Sequence, residues 1–298
     1  MNRPIVTAEI GCNHKGEMSI AKDMIKLLSV FKSLNENADI DIVKFQKRTN
    51  RELLSEAEYN APHPNPKNSY GKTYGEHREF LEFNIEQHKE LKEYCECNNL
   101  IYSTSVWDTT AAKEIISINP KLIKVPSASN LNFKMLELLR DTYNGEIHLS
   151  FGMTTQQEER KIINFFKEKN RLKDLVIYSC TSGYPVPFED ICLKEITRLQ
   201  EMYSQGDNGV KAIGFSGHHL GIAVDIAALA LGATYFERHF TLDRTWKGTD
   251  HAASLEYEGL LKLARNLRIS HLALRHKSKE ILDIEEIQRK KLKHIIEL

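Results

Sequence analysis

Eight short apolar runs alternate with stretches of helical periodicity along this chain, and that alternation restricts the fold more than any other feature. The runs are Ile5–Ile10, Asp41–Phe45, Ile101–Val106, Leu122–Val125, Ile147–Phe151, Leu175–Ser179, Ala212–Phe215 and Tyr235–Phe240. Several are near-continuous, as expected where helices cover both faces of a parallel sheet. Between them, Ile20, Met24, Leu27 and Leu28 mark one helix, Leu131 to Leu139 a second and Ile162 to Phe166 a third. Eight strand–helix repeats in about 250 residues fit an α/β fold of the (β/α)8 TIM-barrel type. An open, doubly wound sheet is the competitor. The turn after the first strand, Gly11-Cys-Asn-His-Lys-Gly16, lacks the dinucleotide fingerprint such a sheet often carries.

One connection is unusually long. From Lys47 to Phe83 the chain passes through Pro62, Pro64, Pro66 and Gly71, with several tyrosines and charges. Loops of this length in compact folds are usually functional or mobile. Following the second strand, this one is expected to form a lid over the barrel mouth. After Ala252 the pattern turns helical, with one helix over Leu255 to Leu274 and a charged one over Lys277 to Leu298. The expected division is a barrel over residues 1–275 and a C-terminal helical extension over 276–298, which caps the barrel or packs on a partner chain.

Lys plus Arg and Asp plus Glu both number 41, so the formal net charge is zero. That argues against a dedicated nucleic-acid or membrane-surface binder, which needs a basic excess. The N-terminus does not read as a signal peptide, and the most apolar stretch, Gly221 to Phe236, carries Asp225 and is too short to span a bilayer. Five cysteines without framework spacing suggest reduced thiols and a cytoplasmic protein. Cys12 and Cys180 end strand-like runs and are placed to line a pocket.

Barrel chemistry collects at the C-terminal ends of strands. Those ends carry Glu9, Lys44, Gln46, Ser103, Thr104, Lys124, Ser127, Ser150, Thr181, Ser182, Ser216, His218, Glu237 and His239. A lysine within an apolar strand is costly unless it is paired or holds an anion. Lys44 and Lys124 together point to a phosphate or carboxylate site, with the hydroxyls of Thr104, Ser127, Ser150 and Ser216 as further donors. The plainer alternative pairs each lysine with Glu9 or Glu237. His218 and His239 end neighbouring strands, so two imidazoles can share one divalent metal. His219 should point elsewhere, and His14 is a further candidate to face the mouth from the first loop. Asp250 holds a polyol hydroxyl or caps the following helix.

These residues also carry a resemblance. Ala8-Glu-Ile-Gly-Cys-Asn-His-Lys-Gly16, Val43-Lys-Phe-Gln46, Tyr74-Gly-Glu-His-Arg78, Gly214-Phe-Ser-Gly-His218, Glu237-Arg-His-Phe-Thr-Leu-Asp243 and Gly248-Thr-Asp-His-Ala-Ala-Ser-Leu255 resemble motifs of the sialic acid synthase family. That family comprises N-acetylneuraminate, legionaminate and pseudaminate synthases and a related spore-coat polysaccharide protein. The resemblance implies that phosphoenolpyruvate condenses with the open-chain aldehyde of an N-acyl amino sugar. The products are a nine-carbon 2-keto-3-deoxy acid and phosphate. The implied cofactor is Mn2+, with Mg2+ or Co2+ as alternatives, on His218 and His239. Phosphoenolpyruvate falls to Lys44, Thr104, Lys124, Ser127, Ser150 and Ser216. Glu9 becomes an acid/base or orienting group, and Gln46, Tyr184 and Asp250 face the sugar. A homodimer is the expected assembly.

Departures from the family pattern concern the acceptor. The N-acetylneuraminate branch has glutamate where Ser129 stands and asparagine where Ser182 stands, both positions at or beside the substrates. The form Cys180-Thr-Ser-Gly-Tyr-Pro185 is closer to the pseudaminate branch. The usual aspartate before the first metal histidine is Gly217, for which His219 is a candidate substitute. Family members typically continue into an antifreeze-like domain that lends an arginine to the sugar. Here the sequence reaches Leu298 within what resembles the linker helix, leaving Arg238, Arg244 and Lys247 as candidate replacements. Two rival readings are another metal-dependent aldol-type enzyme and a noncatalytic sugar-binding descendant. A phosphorylated acceptor would need a second basic cluster, and the sequence alone places none.

Overall fold

The computed structural model describes residues 3–31, 38–206 and 209–294. Eight parallel strands close into a barrel in chain order: β1 (Ile5–Gly11), β2 (Ile42–Lys47), β3 (Ile101–Val106), β4 (Leu122–Val125), β5 (Glu146–Ser150), β6 (Leu175–Cys180), β7 (Ala212–Ser216) and β8 (Tyr235–His239). β8 pairs with β1, setting His239 beside Glu9, and β1 pairs with β2, setting Glu9 beside Lys44. An open doubly wound sheet is therefore excluded.

Strand alternation sorts each run into two sets. Val6, Ala8, Ile10, Val43, Phe45, Ile123, Val125, Ile147, Leu149, Ile177, Phe215 and Phe236 join the large core between barrel and helices. The other set turns into the barrel and is polar near the mouth, as the contacts of Glu9, Lys44, Ser105, Lys124 and Glu237 below show. Deeper in the barrel, Tyr178 is fully buried and its hydroxyl meets His148 Nδ1 at 2.8 Å. A Cβ on Gly214 would lie 2.6 Å from the Tyr178 ring, so this strand position must be glycine for the ring to fit.

The surrounding helices are α1 (Met18–Ser29), α5 (Ile85–Cys97), α6 (Thr109–Ser117), α7 (Phe133–Thr142), α8 (Gln156–Lys167), α9 (Lys194–Tyr203), α10 (Ala223–Ala230) and α11 (Tyr257–Ala273). Between β2 and α5 lie α2 (Asn50–Leu53), α3 (Glu56–Asn60) and α4 (Tyr74–Leu81). These occupy the long connection, which is thus largely structured. Local chemistry explains its stops and starts. Ser55, Thr73 and Asn84 form capping boxes with Glu58, Glu76 and Gln87 at the starts of α3, α4 and α5. Asp108 caps α6 through Ala111 N at 2.7 Å and also accepts from Thr49 N at 2.6 Å, tying the lid's first residues to the β3–α6 loop.

The last helix, α12 (Asp283–Leu292), has no buried side chain. Ile284, Ile287 and Leu292 are exposed, so it does not cap the barrel core. The helix expected over Lys277 to Leu298 is shorter at its start, and its final residues 295–298 lie outside the described residues. Among the described residues, no helix is long and apolar enough to cross a membrane. All five cysteines are free.

Candidate active site

The strand ends and the lid enclose a cavity of 590 Å³. Its floor is a buried charge network. Lys44 pairs with Glu9 and lies 3.7 Å from Glu237, while Lys124 Nζ lies 2.9 Å from Glu237 Oε2. Lys44 also donates to Ser105 Oγ at 2.7 Å, and Ser216 donates to Glu237 Oε1 at 3.2 Å. Pairing with acids, the plainer expectation for the lysines, is therefore real. Both ammoniums still line the open cavity, so pairing and anion binding are compatible.

Burial opposes charge on all four groups, and their neighbours decide the outcome. Burial works against Glu237, yet Lys124 and Lys44 hold its carboxyl far below the ordinary range. Burial pushes Glu9 up to about 8 against the pull of Lys44, with Glu237 adding to the rise. Lys44 stays above its usual value despite burial because Glu237 and Glu9 face it, whereas burial lowers Lys124. Glu237 is thus the carboxylate that carries charge opposite the lysines.

A hydroxyl rim borders Lys124. Ser127 Oγ accepts from Gly152 N at 3.0 Å, and Ser127, Ser150, Ser182 and Ser216 all line the cavity. A Cβ on Gly152 would come within 2.6 Å of Ser127 Oγ and closer still to Ser182 Oγ. The glycine lets backbone and hydroxyls crowd one corner, as oxyanion recognition requires.

His218 and His239 meet at the same mouth, with ring centroids 5.6 Å apart. Tyr184 packs on both, at 4.4 Å from His218 and edge-on at 5.9 Å from His239. Burial, reinforced by His239, lowers His218 to about 3, and burial also lowers His239, so both rings are neutral. His218 Nδ1 faces the Thr181 carbonyl at 3.3 Å, which fixes the proton on Nδ1 and leaves the Nε2 lone pair. His239 Nδ1 is buried without a hydrogen-bond partner and stands 3.9 Å from Asp250. Two neutral imidazoles, one with an orphaned nitrogen, fit an open divalent-metal site that leaves positions for substrate oxygens. No cluster of three or more His, Cys, Asp or Glu side chains forms a closed metal cage among the described residues.

The lid supplies the cavity's other wall through His63, Pro64, Asn65, Asn68, Tyr74, His77, Arg78 and Leu81. Arg48, just beyond β2, pairs with Glu82 and points a second nitrogen at Cys12 Sγ, 3.5 Å away. Cys12 also accepts from Gln46 Nε2 at 2.6 Å. Arg78 has no carboxylate within ion-pair distance among the described residues, and its Nε is buried without a hydrogen bond. Burial and then Arg48 lower its pKa, whereas Glu82 keeps Arg48 high despite burial.

Of the residues expected at the site, Glu9, Lys44, Gln46, Lys124, Ser127, Ser150, Ser182, Tyr184, Ser216, His218, His239 and Asp250 all line this cavity. Thr104 does not. It pairs with Phe45 in the outward-facing set, and Ser105, one residue on, takes the inward position. Ser129 is also outside the lining, with its hydroxyl donating to the Trp107 carbonyl at 2.8 Å. His14 stacks on Phe83 at 4.0 Å rather than facing the mouth. His219 and Arg238 bind Asp225 behind the barrel wall, at 3.1 and 2.6 Å, so neither reaches the sugar side. Arg244 is tied to the Ala252 carbonyl, and Lys247 lies over the Tyr70 ring. Sequence reasoning assigned no role to Arg48, Arg78, His63, His77 or Ser105. The Tyr74–Arg78 motif was the available signal for the lid residues.

The NeuB family model matches residues 33–279. The chain is 36% identical to N-acetylneuraminate-9-phosphate synthase of Homo sapiens over 96% of its own length and 76% of that protein. It is 29% identical to N,N'-diacetyllegionaminic acid synthase of Campylobacter jejuni, over 90% of this chain and 76% of that one. Pseudaminic acid synthase of Helicobacter pylori is 25% identical, over 91% of this chain and 75% of that one, so the pseudaminate-like motif at Cys180 is not matched by overall similarity. The crystal structure of N-acetylneuraminic acid synthetase from Leptospira borgpetersenii superposes with a TM-score of 0.79 at 26% identity, covering 98% of this chain and 93% of that one.

Proposed function

Since the chain belongs to the NeuB family and is a sialic-acid-type synthase, we propose that it condenses phosphoenolpyruvate with an N-acyl amino-sugar aldehyde. The observation carrying this reading is the convergence of two buried lysines and two neutral histidines on one cavity. Phosphoenolpyruvate lies on the floor, its anionic oxygens held by Lys44 and Lys124 and by the hydroxyls of Ser105, Ser127, Ser150 and Ser216. The acceptor aldehyde lies beside His218 and His239. Gln46, Tyr184 and Asp250 face the rest of its chain.

In the reaction, C3 of phosphoenolpyruvate forms a bond to the aldehyde carbon, whose oxygen takes up a proton. Water adds to C2, and phosphate departs with cleavage of its C–O bond. The product is a 2-keto-3-deoxy acid three carbons longer than the acceptor. A divalent metal held by His218 and His239, Mn2+ in the first instance, would supply Lewis acidity to the aldehyde oxygen. Glu9, adjacent to both Lys44 and His239 in register, is placed to orient the reacting centre or to hold a proton. Lys44 and Lys124 hold phosphoenolpyruvate while His218 and His239 stand beside the acceptor aldehyde, which brings the two reacting carbons together in one cavity, so positioning supplies much of the rate.

Relatives named for a phosphorylated product and for unphosphorylated ones both belong to this family, which leaves the acceptor's far end open. The test is phosphate release from phosphoenolpyruvate with Mn2+ across a panel of 2-acetamido and 2,4-diacetamido hexoses and their 6-phosphates. Release with one acceptor only supports the reading. Silence across the panel from folded, metal-loaded protein rejects it.

A further inference from the structure

The backbone ladder between β7 and β8 stops one residue short of the first cavity histidine. Its last bond runs from Gly217 N to the Glu237 carbonyl at 3.1 Å, and among the described residues no backbone bond ties residues 218–222 to β8. The β6–α9 loop holds His218 from one side, through Val186 N to its carbonyl at 3.0 Å. Its spacing from His239 must be set by something other than the sheet.

Arg238 makes that join. Strand alternation turns Glu237 and His239 into the barrel and Arg238 out of it, toward the helices. Arg238 Nη2 donates to the His219 carbonyl at 2.6 Å, and Nη1 donates to the Gly221 carbonyl at 2.9 Å. Side-chain donors thus continue the ladder where main-chain donors end. Nη1 also donates to Asp225 Oδ2 at 2.6 Å, from the first turn of α10, and the same oxygen lies 3.1 Å from His219 Nε2. A planar guanidinium grips two carbonyls and a carboxylate at once, which a single ammonium point charge does not reproduce. The His219 ring fills the space over Gly217, where a Cβ would come 2.9 Å from its Cε1, so a side chain there would push the ring aside.

Stability alone does not explain this arrangement. Arg238 is 1% exposed, and Asp225 and His219 are completely buried. Asp225 Oδ1 and His219 Nδ1 have no hydrogen-bond partner. A buried ion pair is often no more stabilising than apolar side chains of similar volume, and orphaned atoms add to its cost. What it supplies is one fixed geometry, and the two residues it ties together flank the cavity histidines: Arg238 precedes His239, and His219 follows His218. Resting on the divalent-metal reading of those histidines above, we propose that Arg238, Asp225 and His219 are positioning residues. They brace the His218 segment against β8 and so set the spacing of the two imidazoles for a divalent cation.

The test is titration with Mn2+, the free ion read by its electron paramagnetic resonance signal, alongside thermal unfolding and initial rates. The variants are Arg238→Lys and the double replacement Arg238→Met with Asp225→Leu, which removes both charges and strands neither. The control is Arg268→Met, which breaks the buried pair with Asp41 just ahead of β2, at the opposite end of the barrel. The double variant should bind Mn2+ at least about tenfold more weakly than native protein, with Arg238→Lys in between. Its kcat should fall and recover in part with excess Mn2+, while KM for phosphoenolpyruvate stays within about twofold. Arg268→Met should lower Tm and leave Mn2+ affinity unchanged. Native Mn2+ affinity in the folded brace variants would overturn the brace and leave the metal reading standing. An equal loss of affinity in Arg268→Met would also overturn it, since general loosening would then suffice. If neither Arg238 variant folds, Gly217→Ala, which displaces the His219 ring without removing a charge, decides by the same titration. Native protein that binds no Mn2+ would reject the metal reading and the brace with it.

Discussion

Replacing Glu237 with glutamine keeps its shape and removes the charge that balances the barrel floor. In the native protein Glu237 stands 2.9 Å from Lys124 and 3.7 Å from Lys44, and the two lysine side chains are 2% and 4% exposed. Without it, two buried ammoniums share only Glu9, the carboxyl that burial drives toward its protonated form. Removing one partner from such a buried network typically costs about 3–5 kcal/mol. For a chain of this size that lowers Tm by on the order of 10 °C. Phosphoenolpyruvate should offset the loss, because its anionic groups replace the missing carboxylate. A ligand at about a hundredfold over its Kd stabilises by about 2.7 kcal/mol, and tighter binding to the variant adds to that. The assay is thermal unfolding of native and E237Q protein with and without phosphoenolpyruvate. The account predicts a larger ligand-induced rise in Tm for the variant. An unchanged Tm would refute the charged network, and a larger rise for the native protein would refute the lysines as the anion site.

Other perturbations test separate parts of the site. His239→Ala should abolish turnover while leaving the circular dichroism spectrum and the fold intact, and near-normal activity in that variant would contradict the metal assignment. Chelation should likewise stop turnover, and added Mn2+ should restore it. Gly152→Ala pushes a methyl into Ser127 and Ser182 and should raise KM for phosphoenolpyruvate at least about tenfold, read in initial-rate kinetics. Burial, assisted by Lys47, lowers His88 to about 3, so its neutral form is favoured in the folded state. The unfolded chain then binds more protons below pH 6.5, and the stability from this ring is present above that pH and lost as pH falls toward 3. Denaturant titrations at several pH values should show a slope up to about 1.4 kcal/mol per pH unit shallower in His88→Gln.

The barrel was legible because its strands are short apolar runs bounded by polar ends, and seven of the eight end within a residue of the expected position. The eighth, β2, runs on to Lys47 because its pairing with β3 continues through Val106. Facing was harder to read than position. Thr104 and Ser105 are neighbours, and only the pleat, fixed by pairing with β2, decides which hydroxyl enters the barrel. Ser129 lies in a short helical turn where a backbone carbonyl claims its hydroxyl, a contact no local pattern announces. The lysines had two readings in sequence, ion pair or anion site, and the structure makes them parts of one arrangement. Arg48 and Arg78 are thirty residues apart in a loop-rich segment, so their meeting at the cavity depends on how α4 docks over the mouth. Linear charge spacing could not reveal that meeting.

Isotope tracing of the carbon–carbon bond tests the central claim most directly. Phosphoenolpyruvate labelled with carbon-13 at C3 and oxygen-18 in the bridging position, incubated with enzyme, Mn2+ and acceptor, should yield two labelled products. The account predicts a keto acid three carbons longer than the acceptor with carbon-13 at its own C3, and phosphate carrying the oxygen-18. Labelled pyruvate without an extended sugar, or oxygen-18 retained in the organic product, would contradict it.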